Sequence, residues 1–358
     1  MAEQGSTPSN PAARLGSTQH FAEGSPKVLV AGATGFAGAL AANLLWRHPG
    51  FELVAVTGRS EIGRRLDDLY PRYRVPLEIE VFDQDRLEEI NAAVVAYPHA
   101  AAAPTVGVLR EHEVRVVDLS ADFRLSDLAE YERWYGEHPR PDLLSEAVYG
   151  LTELHREEIA KANIVANPGC YPTASVLGLA PLARAGLIAD LVIDAKQGIS
   201  GAGRNFDEQT HLSMAGENIL PYKVAAHRHT PEIEEQLDAL DPAHPKLKVQ
   251  FQAHLVPLDQ GELASCYVTP TRSVGQQELD ELYAAAYDGE PFMEVVEHPP
   301  GTREVMDTNF CRVFAASDGH TGKLVVLSAI DNLWKGTSSQ AVQNLNVMYA
   351  KPETEGLT

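Results

Sequence analysis

The chain has 358 residues, more than one small domain needs and enough for two. Hydrophobic residues make up 44% and charged residues 22%, the balance of a globular protein with a full core. Asp and Glu number 50 against 29 Lys and Arg, a net charge of −21. That excess argues against nucleic acid or an anionic membrane as a partner, and any anionic small molecule must find a locally positive site.

Cys170, Cys266 and Cys311 are far apart and form no CxxC, so neither a disulfide framework nor a metal site is expected, and a reducing cytoplasm is. No apolar run reaches the ~20 residues a membrane span needs. Residues 1–26 are rich in Ser, Thr, Pro, Gly and Ala and lack an apolar stretch, so they read as a disordered tail.

Order is expected from Lys27. A short apolar strand, 28–31, leads into Gly32-Ala-Thr-Gly35-Phe-Ala-Gly38 and then a helix over 36–46, stopped by His48-Pro49-Gly50. Further strands read at 53–57, 77–82, 93–96 and 114–119, with a helix at 100–110. This alternation is the pattern of a Rossmann-type doubly wound parallel sheet, class α/β. Past residue 167 the texture changes. A helix is expected over 173–185, then longer, more alternating strands at 191–195, 248–255, 262–269, 310–315 and 323–330. These suit a mixed sheet in a second, α+β domain. Ser273 and Gln276 have capping-box spacing before a helix at 277–287, and a last helix covers 337–349.

The glycine-rich run follows a strand and opens a helix, so its backbone can approach a dinucleotide pyrophosphate at the helix N-terminus. Gly32, Ala33, Thr34, Gly35, Phe36 and Gly38 are the candidate contacts, against the alternative of a plain tight turn. The second strand ends in Gly58-Arg59-Ser60, with no acid until Glu61. An arginine and a hydroxyl at that point suit a 2′-phosphate, so NADP is expected rather than NAD; a solvated surface arginine is the alternative. The Tyr-x-x-x-Lys pair of short-chain dehydrogenases is missing.

Asn167-Pro168-Gly169-Cys170-Tyr171-Pro172-Thr173 reads as a turn running into a helix, with Pro172 in the first turn. Cys170 at a helix N-terminus is expected to have a lowered thiol pKa. Cys266 and Cys311 fall mid-strand and read as buried hydrophobes. A base for Cys170 is sought in His227-Arg228-His229-Thr230-Pro231-Glu232, where Thr230 reads as an N-cap. In extended chain His227 and His229 would share one side, with Arg228 turned away. Positive groups for an anionic substrate are Arg124 and the Ser200-Gly201-Ala202-Gly203-Arg204 turn, whose N–H groups suit an anion nest. An ion pair with Asp118 or Asp122 is the other reading of Arg124.

Together these segments resemble the N-acetyl-γ-glutamyl-phosphate reductase family. The matching motifs are Gly32–Gly38, DLSADFRL at 118–125, YGLTEL at 149–154, NPGCYPT at 167–173, DAKQGISGAGR at 194–204, HRHTPE at 227–232 and DNLWKG at 331–336, with 343–346 behind it. They run in family order from about Lys27 to the end. Two departures are visible: Tyr97-Pro98-His99-Ala100-Ala101 where the family often has Leu-Pro-His-Gly, and Thr152 where it has proline.

The resemblance implies a fold similar to aspartate-semialdehyde and glyceraldehyde-3-phosphate dehydrogenases. Residues 27–169 and 332–358 would form the NADP-binding domain, with Asn332 among the cofactor contacts, and 170–331 the catalytic and dimerisation domain of a homodimer or homotetramer. It also implies that the Cys170 thiolate attacks an acyl phosphate, with His229 as acid/base and His227 orienting substrate. Three rivals are a carrier-protein-linked reductase of lysine biosynthesis, disfavoured by the net charge, an aspartate-semialdehyde dehydrogenase, which HRHTPE fits poorly, and a non-catalytic NADP-binding regulator, disfavoured by the presence of both Cys170 and His229.

Overall fold

The computed structural model describes residues 19–204, 208–241 and 246–358; most of the expected tail, 1–18, lies outside them. The end of that tail is held against the body: Ala22 N–H donates to Pro49 O at 3.1 Å.

The first sheet has seven parallel strands where apolar runs alone indicate five. They are β1 (Lys27–Ala31), β2 (Glu52–Thr57), β3 (Ile79–Glu80), β4 (Ala92–Val95), β5 (Arg115–Asp118), β6 (Ala147–Tyr149) and β7 (Ile164–Ala166), in the order β3-β2-β1-β4-β5-β7-β6. The central strands β1 and β4 are buried almost throughout, as a sheet covered on both faces requires. β3 is shorter than the apolar run 77–82 because β2 ends at Thr57 and offers no partner beyond Glu80. The order reverses at β1, so the ligand crevice of this sheet lies past the carboxyl ends of β1 and β4.

Helices α1 (Phe36–Arg47), α2 (Leu66–Leu69), α3 (Ala102–Glu111), α4 (Leu128–Tyr135) and α5 (Thr152–Lys161) accompany these strands. The second sheet follows α6 (Cys170–Arg184). It comprises β8 (Ile188–Gly198), β9 (Leu220–Tyr222), β10 (Val249–Val256), β11 (Glu262–Pro270), β12 (Met293–Val295), β13 (Cys311–Ser317) and β14 (Leu324–Ile330), in the order β12-β13-β14-β11-β8-β10-β9. It is mixed, as expected: β8 pairs parallel with β10 and antiparallel with β11. Helices α7 (Leu212–Ala215), α8 (Thr230–Leu240) and α9 (Gln276–Tyr287) belong to this half, and α10 (Ser339–Met348) closes the chain.

One face of the second sheet packs on α6, α8 and α9, where Leu177, Leu179, Ile233, Leu237, Leu279 and Tyr283 meet Ile193, Phe251, Cys266 and Val326. Cys266 and Cys311 are both fully buried, the hydrophobic role expected of them. Pro181 inside α6 removes one backbone donor. The carbonyl it orphans, Leu177 O, accepts from Tyr287 Oη instead, and Tyr283 Oη donates to Gly178 O at 2.7 Å.

The capping box expected before α9 is not formed. Gly275 is the N-cap, and the Gln276 side chain turns away to Asp280 and to the backbone of Ala315 and Ser317. The end of the chain returns to the first sheet: Ala341, Val342, Leu345 and Met348 share a core with Val28, Val30, Leu40, Val94 and Val117. Before α10 comes a π-helical turn, Trp334–Ser338, and its Lys335 is fully buried, paired with Glu153 at 2.5 Å.

Candidate active site

α6 begins at Cys170 itself, three residues before the expected start, with Gly169 as N-cap. The turn ahead of it is clamped from four sides. Gly169 N–H donates to Glu232 Oε1 at 2.9 Å, and Tyr149 Oη donates to the same oxygen at 2.8 Å. Arg124 donates to Asn167 O at 2.8 Å and to Leu119 O at 2.7 Å, and its Nη1 lies 3.6 Å from Glu232 Oε2. Asn167 Nδ2 donates to Thr337 O, and its Oδ1 accepts from Asn344 at 3.1 Å. Four of the sequence motifs therefore converge on one turn. Arg124 pairs with Glu232, not with either aspartate of its own motif. Asp122 instead accepts the N–H groups of Ala100 and Ala103 and the Tyr131 hydroxyl.

Cys170 is partly exposed. Its sulfur accepts from Gln197 Nε2 at 3.0 Å. Contrary to the expectation of a lowered thiol pKa, burial and the facing Glu262 carboxyl push it well up, and the Tyr171 N–H and Arg124 only partly oppose them. The helix N-terminus is real, but its effect is outweighed. Gln197 falls in a quoted motif yet was not a site candidate, because the strand expected there stops at Ala195, whereas β8 runs on to Gly198.

His227 and His229 lie on one side with ring centroids 4.9 Å apart, and Arg228 turns away over the Tyr135 ring. The segment is a turn, not extended chain, and His229 takes the N-cap place expected of Thr230. His229 packs against the cysteine turn: a Cβ on Gly169 would lie 2.6 Å from its Nε2. Burial, then the charges of His227, Arg124 and Lys223, hold His229 well below its usual pKa, so the ring is neutral. His227, expected to orient substrate, is instead enclosed by Tyr171, Tyr222 and Phe251, and its Nδ1 accepts the His229 N–H at 3.2 Å.

Ser200 and Gly203 do not build the expected anion nest, since their N–H groups already donate to Asp259 O and Ser200 O. Gly201 instead leaves room for Gln197, whose amide would lie 2.0 Å from a Cβ there. Arg204 reaches the glycine loop, donating to Thr34 O at 3.2 Å and Glu61 Oε1 at 3.1 Å. Asn332 is buried with its amide engaged by Gly261 N–H and Ser200 Oγ, so it braces two loops of the site wall instead of offering that amide to a cofactor.

The cofactor loop has the shape a dinucleotide needs. Gly32 has φ +92°, and a Cβ there would strike Ala96 O at 2.7 Å; one on Gly38 would strike Gly32 O at 2.3 Å. Gly35 is the N-cap of α1, and a Cβ there would meet only Gly32 O, at 3.8 Å, which leaves the helix N-terminus approachable by a phosphate. Ala33 N–H donates to Thr57 O, and Phe36 packs edge-on against Tyr70. At the end of β2, Arg59 lies over the Tyr97 ring at 4.9 Å, with Ser60 exposed beside it.

Among the described residues no helix is long and apolar enough to cross a membrane, and no group of three His, Cys, Asp or Glu could hold a metal ion. A nucleotide-binding sheet joined to a mixed-sheet domain, with a cysteine at the junction, defines the semialdehyde dehydrogenase class. Residues 27–162 match the semialdehyde dehydrogenase NAD binding domain and 170–332 the semialdehyde dehydrogenase dimerisation domain. Aspartate semialdehyde dehydrogenase II from Vibrio cholerae shares the fold with a TM-score of 0.71 at 17% identity, over 91% of this chain and 99% of that one. An NADP-bound aspartate semialdehyde dehydrogenase from Candida albicans gives a TM-score of 0.67 at 16% identity, over 91% and 99%.

In sequence the chain is 47% identical to the N-acetyl-gamma-glutamyl-phosphate reductase of Desulforudis audaxviator over 92% of this chain and 97% of the relative. It is 45% identical to that of Moorella thermoacetica, with the same coverage. The chain belongs to the N-acetyl-gamma-glutamyl-phosphate reductase family.

Proposed function

We propose that the protein reduces N-acetyl-L-glutamyl 5-phosphate to N-acetyl-L-glutamate 5-semialdehyde and phosphate, with NADPH, in arginine biosynthesis. The observation that carries this reading is the family identity together with a partly exposed cysteine held between Gln197 and the His229 turn. Residues 27–169 with 332–358 serve as the nucleotide domain and 170–331 as the catalytic one. Gly32 to Gly38 would hold the pyrophosphate, and Arg59 with Ser60 the 2′-phosphate. The bound cofactor supplies the hydride.

Cys170 attacks the acyl carbon and expels phosphate to leave a thioester. His229, neutral at pH 7, is the acid/base beside it, and Arg124 contributes positive charge next to Gly169. Arg204, donating to Thr34 O of the glycine loop and to Glu61, ties the two halves together. The outer face of the second sheet carries half-exposed Tyr267, Asp194 and Lys196, which supports packing against a second copy in a homodimer or homotetramer. The deciding assay follows NADP reduction with N-acetylglutamate semialdehyde plus phosphate against aspartate semialdehyde plus phosphate. Turnover with the first and none with the second is expected; the reverse would refute the substrate assignment.

A further inference from the structure

Glu262 opens β11 and is fully buried, yet among the described residues neither of its carboxylate oxygens has a hydrogen-bond partner. A bare buried carboxyl is costly and in a native fold needs a reason. Its backbone pairs with Gln197 of β8 on one side and Ile330 of β14 on the other. Gln197 is the residue whose amide donates to the Cys170 sulfur. Glu262 therefore stands in register beside the cysteine's partner and faces the same sulfur. Thiol and carboxyl act on each other directly, though without a hydrogen bond of normal geometry.

Among the described residues, the other titratable groups that reach Glu262 are Asp331 beyond β14, Tyr171 in α6, Tyr222 in β9 and Cys311 in β13, none of them a cation. Burial and the Asp331 charge push the Glu262 carboxyl up to about 8. Two acids that face each other in a buried site do not both ionise, so the pair holds at most one negative charge near neutral pH.

We propose that Glu262 is the proton carrier for the Cys170 sulfur, which leaves His229 to serve the acyl oxygen and the departing phosphate. The proposal rests on Cys170 being the nucleophile. In acylation the S–H bond breaks and its proton passes to the Glu262 carboxylate. The S–C bond forms, and the C–O bond to phosphate breaks with its electron pair leaving on phosphate, which takes a proton through His229. Once the thioester carbon has been reduced, the oxygen lone pair re-forms C=O and the C–S bond breaks. The sulfur keeps that electron pair and recovers its proton from the Glu262 carboxylic acid. Glu262 ends as it began, and the one proton consumed overall is the one on phosphate.

The test is the pH profile of kcat/KM in the unmutated enzyme, in Glu262→Gln and in Glu262→Met. The Met variant removes an unpartnered buried carboxyl and so keeps the fold even if the Gln variant does not. The unmutated enzyme is expected to show a rising limb with a midpoint near pH 8. Both variants should lose that limb and about 100-fold in kcat, with NADPH binding unchanged. A variant that keeps the limb, or keeps kcat within twofold, overturns the proposal, as does a loss of rate with an unaltered profile. Cys170→Ser is measured in parallel: turnover in that variant would refute the nucleophile reading itself, whatever Glu262 does.

Discussion

Gly169→Ala bears first on the placing of His229 and, more weakly, on Arg124 beside it. Gly169 has φ −68° and ψ 156°, a conformation alanine adopts freely, so the backbone resists nothing. The added methyl, however, would lie 2.6 Å from His229 Nε2, 2.9 Å from Cε1 and 3.0 Å from Arg124 Nη1, where ordinary contact begins at 3.4 Å. The imidazole must retreat by at least the 0.8 Å that separates 2.6 from 3.4 Å. A displacement of ~1 Å at a reacting group costs about 100-fold in rate, or about 2.7 kcal/mol in the barrier. The expected outcome is a kcat about 100-fold down in the NADP-reduction assay. NADPH affinity by fluorescence titration should be unchanged, and the melting temperature within a few degrees. A kcat within threefold of the unmutated enzyme would show that His229 is not the acid/base, or that its position against Gly169 is immaterial.

Arg59→Ala should weaken NADPH by ~1.5–3 kcal/mol, the worth of a charge-assisted bond, while leaving NADH nearly untouched; equal losses in paired titrations would remove Arg59 from the 2′-phosphate. Ala100 has φ 62°, a left-handed conformation that costs an L-residue ~1–2 kcal/mol, so Ala100→Gly should stabilise the fold by about 1 kcal/mol in chemical denaturation. Stability should peak near pH 6.5. Burial raises Asp118 to about 7 and Glu262 to about 8, so the folded state holds protons the unfolded chain has released, and stability falls as pH climbs toward 8. Burial lowers His227 to about 3 and depresses His229, His48 and His155, so the unfolded chain gains protons first as pH drops below 6.5, and stability falls there too. A melting temperature that stays flat or rises between pH 6.5 and 8.5 would contradict that balance.

The parts of this molecule written in local pattern were legible before any coordinates. The glycine loop announces itself because Gly32 and Gly38 answer to steric demands within a few residues of themselves. NPGCYPT does so because a turn before a helix is a local event. Strands β6 and β7 escaped because three residues make no period, and α5 because its polar face gives no clean apolar stripe. What the sequence withheld at the site is long-range. Glu232 reads as an ordinary first-turn acid of α8 until Gly169 and Tyr149 are seen to share its oxygen. Glu262 reads as the polar edge of a strand until β11 is laid beside β8. The thiol expectation failed for a related reason: a helix N-terminus is visible in sequence, whereas the burial and the facing carboxyl that outweigh it are not.

The tie between Asn167 and the closing segment sets an order on how the enzyme comes into being. The turn that holds Cys170 is braced by Thr337 and Asn344, which lie 170 and 177 residues after Asn167 and leave the ribosome long after it. The first sheet, too, lacks the apolar surface of α10 until then. A chain still in synthesis carries its cysteine on an incomplete turn, with Lys335 not yet buried on Glu153. Domains fold as they emerge, N-terminal first, but here the nucleotide half waits for α10. A nascent chain that has not yet made α10 thus holds Cys170 on an unbraced turn, and the reactivity proposed for that cysteine waits on a segment far along the chain.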